Sequence, residues 1–249
     1  MKKITFILAA IVLLLATATT VTAQNECAIK YNLFKGEVQT KKYDAAYLKV
    51  ISLMKDCPSL SINIYKFGDK VAKHRFKTAT DKAATFAFVK QIFEQRMQYY
   101  PNKGAAKANS DYATFLEKHK LASDEEVFGY LEKAYSIDPT KMGVKNIFNY
   151  FQGVTDRNKD TNVQLVFDTY DDVIEAVGRK LQDYSKKLKP LLDAKEREEE
   201  LSKKDKKYLR AYTINSKALG AVESGLDGII IKLSTCDRLI VLYTRDFEA

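Results

Sequence analysis

The sequence contains few of the residues that end helices or build catalytic sites. Among 249 residues there are four prolines, ten glycines, two histidines and no tryptophan. A protein of many short strands needs far more turn residues than this. Apolar residues instead recur at intervals of three and four, for example at Tyr47, Val50, Ile51 and Met54, which is typical of amphipathic helices. The composition and the periodicity together predict an all-α protein.

One long stretch carries no charge. Residues 4–23 follow Lys2 and Lys3 and end in Val21-Thr22-Ala23. A basic start, an apolar segment and short residues before a cleavage position are typical of a secretory signal peptide. We therefore expect residues 1–23 to be removed, the mature chain to begin at Gln24, and no transmembrane span to remain. An uncleaved anchor is the alternative, because about 20 apolar residues are enough to span a bilayer.

The charge is moderately basic. The formal net charge of the whole chain is +9, and it falls to +7 once Lys2 and Lys3 are removed. For an exported protein this balance favours acidic partners or anionic envelope surfaces over nucleic acid.

Three prolines mark a repeating pattern. Pro58, Pro101 and Pro139 each follow an amphipathic segment, at intervals of 43 and 38 residues. Proline cannot continue a helix, and these intervals are in the range of helical-hairpin repeats. The segments 31–58 and 112–139 have equal length, and each contains two helical patterns, which break near Lys41-Lys42 and near Ala122-Ser123.

These segments carry a family resemblance. "YNLFKGEVQTKKYDAAYLKVISLMKDCP" and "YATFLEKHKLASDEEVFGYLEKAYSIDP" resemble tetratricopeptide (TPR) repeats, as in the divergent TPR-like proteins of Gram-negative envelopes. The positions that match the motif are Leu33, Tyr43, Ala46, Pro58, Leu131, Ala134 and Pro139. The departures are Phe34 and Phe115 in place of glycine, and Leu53 in place of alanine. The middle unit, residues 62–101, is several residues longer than a TPR motif.

The resemblance covers residues 25–160 and implies a TPR-like array of helical hairpins whose units share one core. A helical bundle without repeats is the alternative. After Asp160 the pattern changes to a long helix over residues 163–200 and a second from Lys203 to about Val222. The predicted domains are therefore a signal peptide (1–23), helical repeats (24–160), and a long antiparallel hairpin with C-terminal helices (161–249).

The end of this long hairpin is densely charged. Ten Lys or Arg and six Asp or Glu lie between Lys186 and Arg210. A solvated helix pair with ion pairs along its surface explains such a pattern. The more specific interpretation is a basic tip that contacts an anionic surface.

The sequence offers little for catalysis. His74 and His119 lie in different repeats, and no HExxH, CxxC or GxSxG motif occurs. We therefore expect no enzyme, no cofactor and no bound metal. Asp156, Asn158 and Asp160 form half of a calcium loop, but the glycine and the closing glutamate of such loops are missing. The simpler interpretation is a polar interhelix loop in which Thr161 caps the next helix.

Binding is the remaining class of function. In a helical-repeat array the first helix of each unit lines a concave face. The side chains expected on that face are Tyr31, Lys35 and Gln39 from the first unit, Tyr65, Asp69 and Lys73 from the second, and Tyr112 and His119 from the third. Tyrosine beside lysine suits protein or peptide recognition. The sequence thus predicts an exported, non-enzymatic scaffold or adaptor of the periplasm or outer envelope; the alternative is a structural protein that holds anionic lipid or glycan.

The chain contains three cysteines. Cys27 opens the first helix and Cys57 closes the second, at nearly equal offsets from the Lys41-Lys42 turn, so we predict a disulfide between them. Two reduced, packed cysteines are the alternative. Cys236 then has no predicted disulfide partner within the sequence. It precedes an apolar run, Leu239 to Tyr243, from which we expect either a further helical unit beyond Ala249 or a second chain to cover this region.

Overall fold

The computed structural model describes residues 25–236, and this part of the chain is all-α, as predicted. The helices are α1 (25–39), α2 (Tyr43–Asp56), α3 (Ile62–Thr78), α4 (Lys82–Tyr99), α5 (Pro101–His119), α6 (Asp124–Ile137), a 3₁₀ turn (Pro139–Lys141), α7 (Val144–Asn158), α8 (Val163–Glu196) and α9 (Lys203–Leu233). The predicted signal peptide and the apolar run Leu239–Tyr243 lie outside the described residues.

The chain divides into two compact units, Met1–Ala105 and Ala106–Ala249. The first contains the hairpins α1/α2 and α3/α4. The second contains most of α5, then α6, α7 and the long antiparallel hairpin α8/α9, which confirms an array of helical hairpins followed by a long hairpin. The predicted change of pattern at Asp160 falls in the turn between α7 and α8.

In the first unit α3 packs against both α2 and α4. A β-carbon at Gly68 of α3 would lie 2.6 Å from Ile92 Cδ1 and 3.1 Å from Val50 Cγ2. The absence of a side chain therefore lets three helices approach closely. The helices of this middle hairpin have 17 and 18 residues, compared with 14 in α2, which explains why its sequence is longer than a TPR motif.

The disulfide between Cys27 and Cys57 is confirmed, with 6.0 Å between the two Cα atoms. It joins the start of α1 to the residue after α2. Lys30 forms an ion pair with Asp56 at 3.2 Å along the same helix pair. The predicted register of the hairpin, in which the start of one helix lies beside the end of the other, is therefore correct.

Three helices end in the same way. Lys41, Lys120 and Glu198 have φ angles of 61°, 53° and 57° after α1, α5 and α8. In each case the backbone amide of this residue donates to the carbonyl three residues earlier in the sequence. The amide of the following residue donates to the carbonyl five residues before its own position. These are Schellman motifs, which satisfy the carbonyl groups at the end of a helix.

Serine side chains cap the starts of α6 and α9. The hydroxyl groups of Ser123 and Ser202 accept from the amides of Glu126 and Asp205. The predicted Thr161 cap is wrong, because the Asn162 side chain accepts from the Leu165 amide. The helix begins at Val163, as the sequence pattern predicts, but ends at Glu196 rather than at residue 200.

In the second unit α7 contacts α6, α8 and α9. Its buried side chains include Ile147, Phe151 and Val154, and the core they form continues into Val166 and Val173 of α8 and Leu219 and Leu226 of α9. The hydroxyl of Tyr170 donates to Asp227 at 2.6 Å and ties the two long helices together.

The helix α9 extends to Leu233, eleven residues beyond the predicted end near Val222. Gly225 and Gly228 weaken the helical pattern there. The surrounding packing overrides this weakness, because Leu226 and Leu233 are buried in the core and Phe148 of α7 fills the space beside Gly225.

Candidate functional site

The second unit contains an open groove of about 300 Å³ between the end of α5, the start of α6 and α7. The residues that line it are Glu117, Asp124, Val127, Phe128, Leu131, Asn149, Gln152, Gly153, Asp156 and Arg157. Both the α5/α6 hairpin and α7 thus contribute to one surface.

Gly153 sets the distance between α6 and α7 in this groove. A β-carbon at this position would lie 2.5 Å from Phe128 Cδ2, so α7 is in direct backbone contact with the ring. The Arg157 guanidinium lies 3.8 Å from the centre of the same ring and pairs with Glu125 at 2.6 Å. The aromatic floor of the groove is therefore held between a glycine and a paired arginine.

A buried polar cluster fixes α5 against α7. The Asn146 side-chain amide donates to the Ser110 carbonyl at 2.7 Å and contacts the Thr114 hydroxyl at 2.8 Å. The Ser110 hydroxyl accepts from the Gly143 amide at 2.9 Å. Because these buried polar groups have partners, the α5–α7 spacing is strongly specified.

The rim of the groove is polar. Glu117, Asp124 and Asp156 contribute carboxylates, and Asn149 and Gln152 contribute side-chain amides. Glu117 forms an ion pair with Lys145 at 2.9 Å, just outside the groove. Amides and carboxylates on the rim of such a groove can hydrogen-bond to the polar groups of a ligand.

The six residues predicted for the concave face from the first two repeats, which lie in the first compact unit, have different environments. Tyr31 and Lys35 are half-buried and Gln39 is exposed on α1. Asp69 and Lys73 are half-buried and form an ion pair at 2.9 Å. The expectation for Tyr65 is wrong. Its side chain is fully buried, its hydroxyl donates to the Pro58 carbonyl, and burial raises its pKa.

Tyr65 is buried because α3 is covered on two sides, by α2 and by α4. A helix in this position has a narrower exposed strip than a helix at the edge of an array. The three-four spacing of Tyr65, Asp69 and Lys73 does not reveal how much of that strip is covered.

Of the two residues predicted from the third repeat, which lies in the second compact unit, only His119 is exposed. Tyr112 is 2% exposed and packs against Tyr130 of α6, with ring centres 4.9 Å apart. Its expected role as an exposed anchor is therefore wrong. His119 lies against the ring of Phe115 at the end of α5, outside the groove.

The sequence patterns did not indicate the groove. The predicted break near Ala122-Ser123 coincides with the start of α6, and Asp124 is in the first turn of that helix. Gly153, in the middle of a strongly amphipathic segment, is the one signal of close backbone approach. Which helix meets it, however, depends on the tertiary packing.

The segment that resembles half of a calcium loop is largely helical. Asp156 and Asn158 belong to the last turn of α7, and the Asn158 amide donates to the Val154 carbonyl of its own helix. Within residues 25–236 the structure contains no group of three or more His, Cys, Asp or Glu side chains arranged for a metal ion.

Among the helices of the described region, none combines the length and the apolar character that crossing a bilayer requires. The chain matches no protein-family model, no curated protein and no solved structure.

Proposed function

We propose that this chain is an exported, TPR-like scaffold that binds a segment of a partner protein in the groove between α5, α6 and α7. It acts by binding and carries out no chemical step of its own. The observation that carries this proposal is the groove itself, where Phe128 and Leu131 provide an apolar floor below the amides of Asn149 and Gln152.

The groove has the chemistry of a peptide site. Side-chain amides both donate and accept hydrogen bonds, as a peptide backbone does. Phe128 and Leu131 are only 9% and 3% exposed, so a ligand in the groove contacts mainly the polar side chains above this floor. The Asn146 cluster holds the two sides of the groove at a constant distance, which lowers the cost of ordering the site when a ligand binds.

The disulfide supports an oxidising compartment. Bonds such as Cys27–Cys57 persist in the periplasm or outside the cell and are rare in the reducing cytosol. Together with the signal-peptide pattern of residues 1–23, this supports export to the periplasm or outer envelope of a Gram-negative bacterium.

The test is site-specific crosslinking followed by direct titration. A photo-crosslinking residue at Gln152 should capture a partner in intact cells, whereas the same residue at the exposed Glu132 of α6 should not. The captured protein, once purified, should bind the native chain directly.

The variant Asn149→Ala/Gln152→Ala should weaken that binding by about tenfold or more, as expected when central interface contacts are lost. Its matched control is Lys133→Ala/Ser136→Ala, at two exposed positions of α6, which should bind as the native chain does. Equal binding by both double variants would contradict a role for the groove.

A second candidate function follows from the basic end of the long hairpin. Residues 181–218 contain eleven Lys or Arg and seven Asp or Glu, so this end favours anionic lipid or glycan. Binding to phosphatidylglycerol vesicles, with phosphatidylcholine vesicles as the control and high salt as the competitor, tests this alternative.

A further inference from the structure

The long hairpin has two halves with different packing. In the half next to α7, the buried residues of α8 run from Val166 to Lys180, and those of α9 from Leu219 to Leu233. Between these, none of residues 181–218 is buried, and the structure describes all of them. In the far half of the hairpin, only Leu181 and Tyr184, at its base, are apolar side chains packed against the core of the second unit.

This far half nevertheless carries apolar side chains that are partly or largely exposed. An open groove of about 670 Å³ is lined by Leu181, Leu188 and Leu192, together with Lys189, Asp193, Glu196 and three uncharged polar residues. Leu192 is 44% exposed, and Ile214 of α9 is 54% exposed. Two helices alone bury too little apolar surface to be stable, whereas four helices with such apolar seams form a bundle.

The two halves also have opposite charge. Residues 181–218 have a net charge of +4, whereas the remaining residues of α8 and α9 contain three Lys or Arg and six Asp or Glu. Four of these carboxylates, which we call the acidic stripe, are exposed along α8 at spacings of three and four: Asp168, Asp171, Asp172 and Glu175. The basic residues at the start of α9, which we call the basic tip, are Lys203, Lys204, Lys206 and Lys207.

We propose that two copies of this chain pair through their α8/α9 hairpins in antiparallel orientation and form a four-helix bundle. The leucine-lined groove of each copy is covered by the other, and the basic tip of each lies beside the acidic stripe of its partner. Parallel pairing would instead bring the two basic tips together, which like charges disfavour.

The hairpin is large enough for such an interface. A helix of 34 residues is about 51 Å long, and two helices side by side are about 20 Å wide. The face of one hairpin therefore measures about 1,000 Å², and a standard stable interface needs about 800 Å² from each partner. The pairing is isologous, as in most soluble dimers.

The first measurement is the mass in solution of the full exported chain, by light scattering over a range of concentrations. It is made with Cys236→Ser, so that the exposed thiol of Cys236 cannot link two chains. A dimer is expected. A monomer at about 100 μM, where a specific interface of this size would be populated, would overturn the proposal.

The second measurement compares matched leucine variants. Leu188→Glu/Leu192→Glu should yield a folded monomer, with helical content unchanged by circular dichroism. The control Leu33→Glu/Leu48→Glu changes two exposed leucines of the first unit and should remain dimeric. If the control dissociates and the hairpin variant does not, the interface lies elsewhere and the proposal fails.

The third measurement tests orientation by charge exchange. The basic-tip variant, with its four lysines changed to Glu, and the acidic-stripe variant Asp168→Lys/Asp171→Lys/Asp172→Lys should each dimerise at least about tenfold more weakly than the native chain. An equimolar mixture of the two should dimerise again, because each reversed tip then faces a reversed stripe. If neither single variant is weakened, or if the mixture is not restored, antiparallel pairing is excluded.

Loss of vesicle binding by the basic-tip variant with an unchanged dimer would assign the tip to a membrane surface and overturn the proposal. Both leucine variants should still bind a partner in the groove of α5, α6 and α7, so this test fails or succeeds independently of the proposed function.

Discussion

Gly153 of α7 and Phe128 of α6 are in direct contact, and a β-carbon on the glycine would lie 2.5 Å from Cδ2 of the ring and 2.6 Å from Cε2. Two helices approach closely only because one of them has no side chain at this position. The same contact forms the floor of the candidate groove, so packing and binding depend on one pair of residues.

Gly153→Ala should therefore destabilise the chain by about 1–3 kcal/mol, the usual cost of overpacking. Phe128 must move, since its ring blocks the new methyl group. The control is Gly178→Ala in α8, where nothing lies within 4 Å of the added carbon. It should stabilise the chain by about 0.5–1 kcal/mol, because alanine favours a helix. Urea unfolding of both variants measures the difference, and equal effects would contradict the close contact.

Lys120→Gly should stabilise the chain by about 0.5–1 kcal/mol. Lys120 has a φ angle of 53°, a conformation that costs a residue with a side chain about 1 kcal/mol and costs glycine little. The matched control is Lys118→Gly in the last turn of α5, which should destabilise by up to about 1 kcal/mol. Thermal unfolding monitored at the helical circular dichroism signal tests both changes. Destabilisation by Lys120→Gly would show that the lysine side chain itself supports this turn.

Removal of the disulfide should cost about 3–4 kcal/mol, because it closes a loop of 30 residues in the unfolded chain. Cys27→Ala/Cys57→Ala should lower the urea midpoint of the first unit accordingly. Cys236→Ser, at an exposed position, serves as the control and should change stability by less than about 0.5 kcal/mol. An unchanged midpoint in the double variant would mean that the helix pair is held together by packing alone.

Stability should rise as pH increases from about 8 to about 10 because of Lys180. Burial and the nearby Lys107 and Lys141 lower the pKa of its ammonium group to about 8, while its Nζ donates to the carbonyls of Thr140 and Met142. In this range the unfolded chain holds a proton that the folded chain has released, so the free energy of unfolding increases with pH. The slope stays below about 1.4 kcal/mol per pH unit, the limit for one proton.

Lys180→Met should remove this slope, and the exposed Lys186→Met should retain it. The comparison ends near pH 10. Above that pH, Tyr150 and Tyr170 lower the free energy of unfolding, because their pKa values are raised to about 12 in the folded chain. They keep their protons in the folded chain, so stability then falls. A Lys180→Met variant with the native slope would assign the pH dependence to another group.

Residues close together in the sequence were enough to predict most of the local structure. Prolines 58, 101 and 139 mark the ends of helices, since a residue without an amide hydrogen cannot continue one. Ser123 and Ser202 mark starts, because their hydroxyl groups satisfy unpaired amides. The disulfide was also predictable, because the offsets of Cys27 and Cys57 from one short turn determine their register. These inferences succeed because each depends on residues close in sequence or on one hairpin.

Features that depend on neighbours distant in sequence could be found only from the packing of the helices. The patterns placed Tyr65 and Tyr112 on an exposed face, but α2, α4 and α6 cover them. They ended α9 near Val222, where glycines weaken the helix, but packing on α7 extends it to Leu233. The groove beside Phe128 depends on Gly153, because the absence of a side chain there lets α7 approach that ring closely. Periodicity gives the apolar side of each helix, but the burial of a side chain depends on which other helix lies against it.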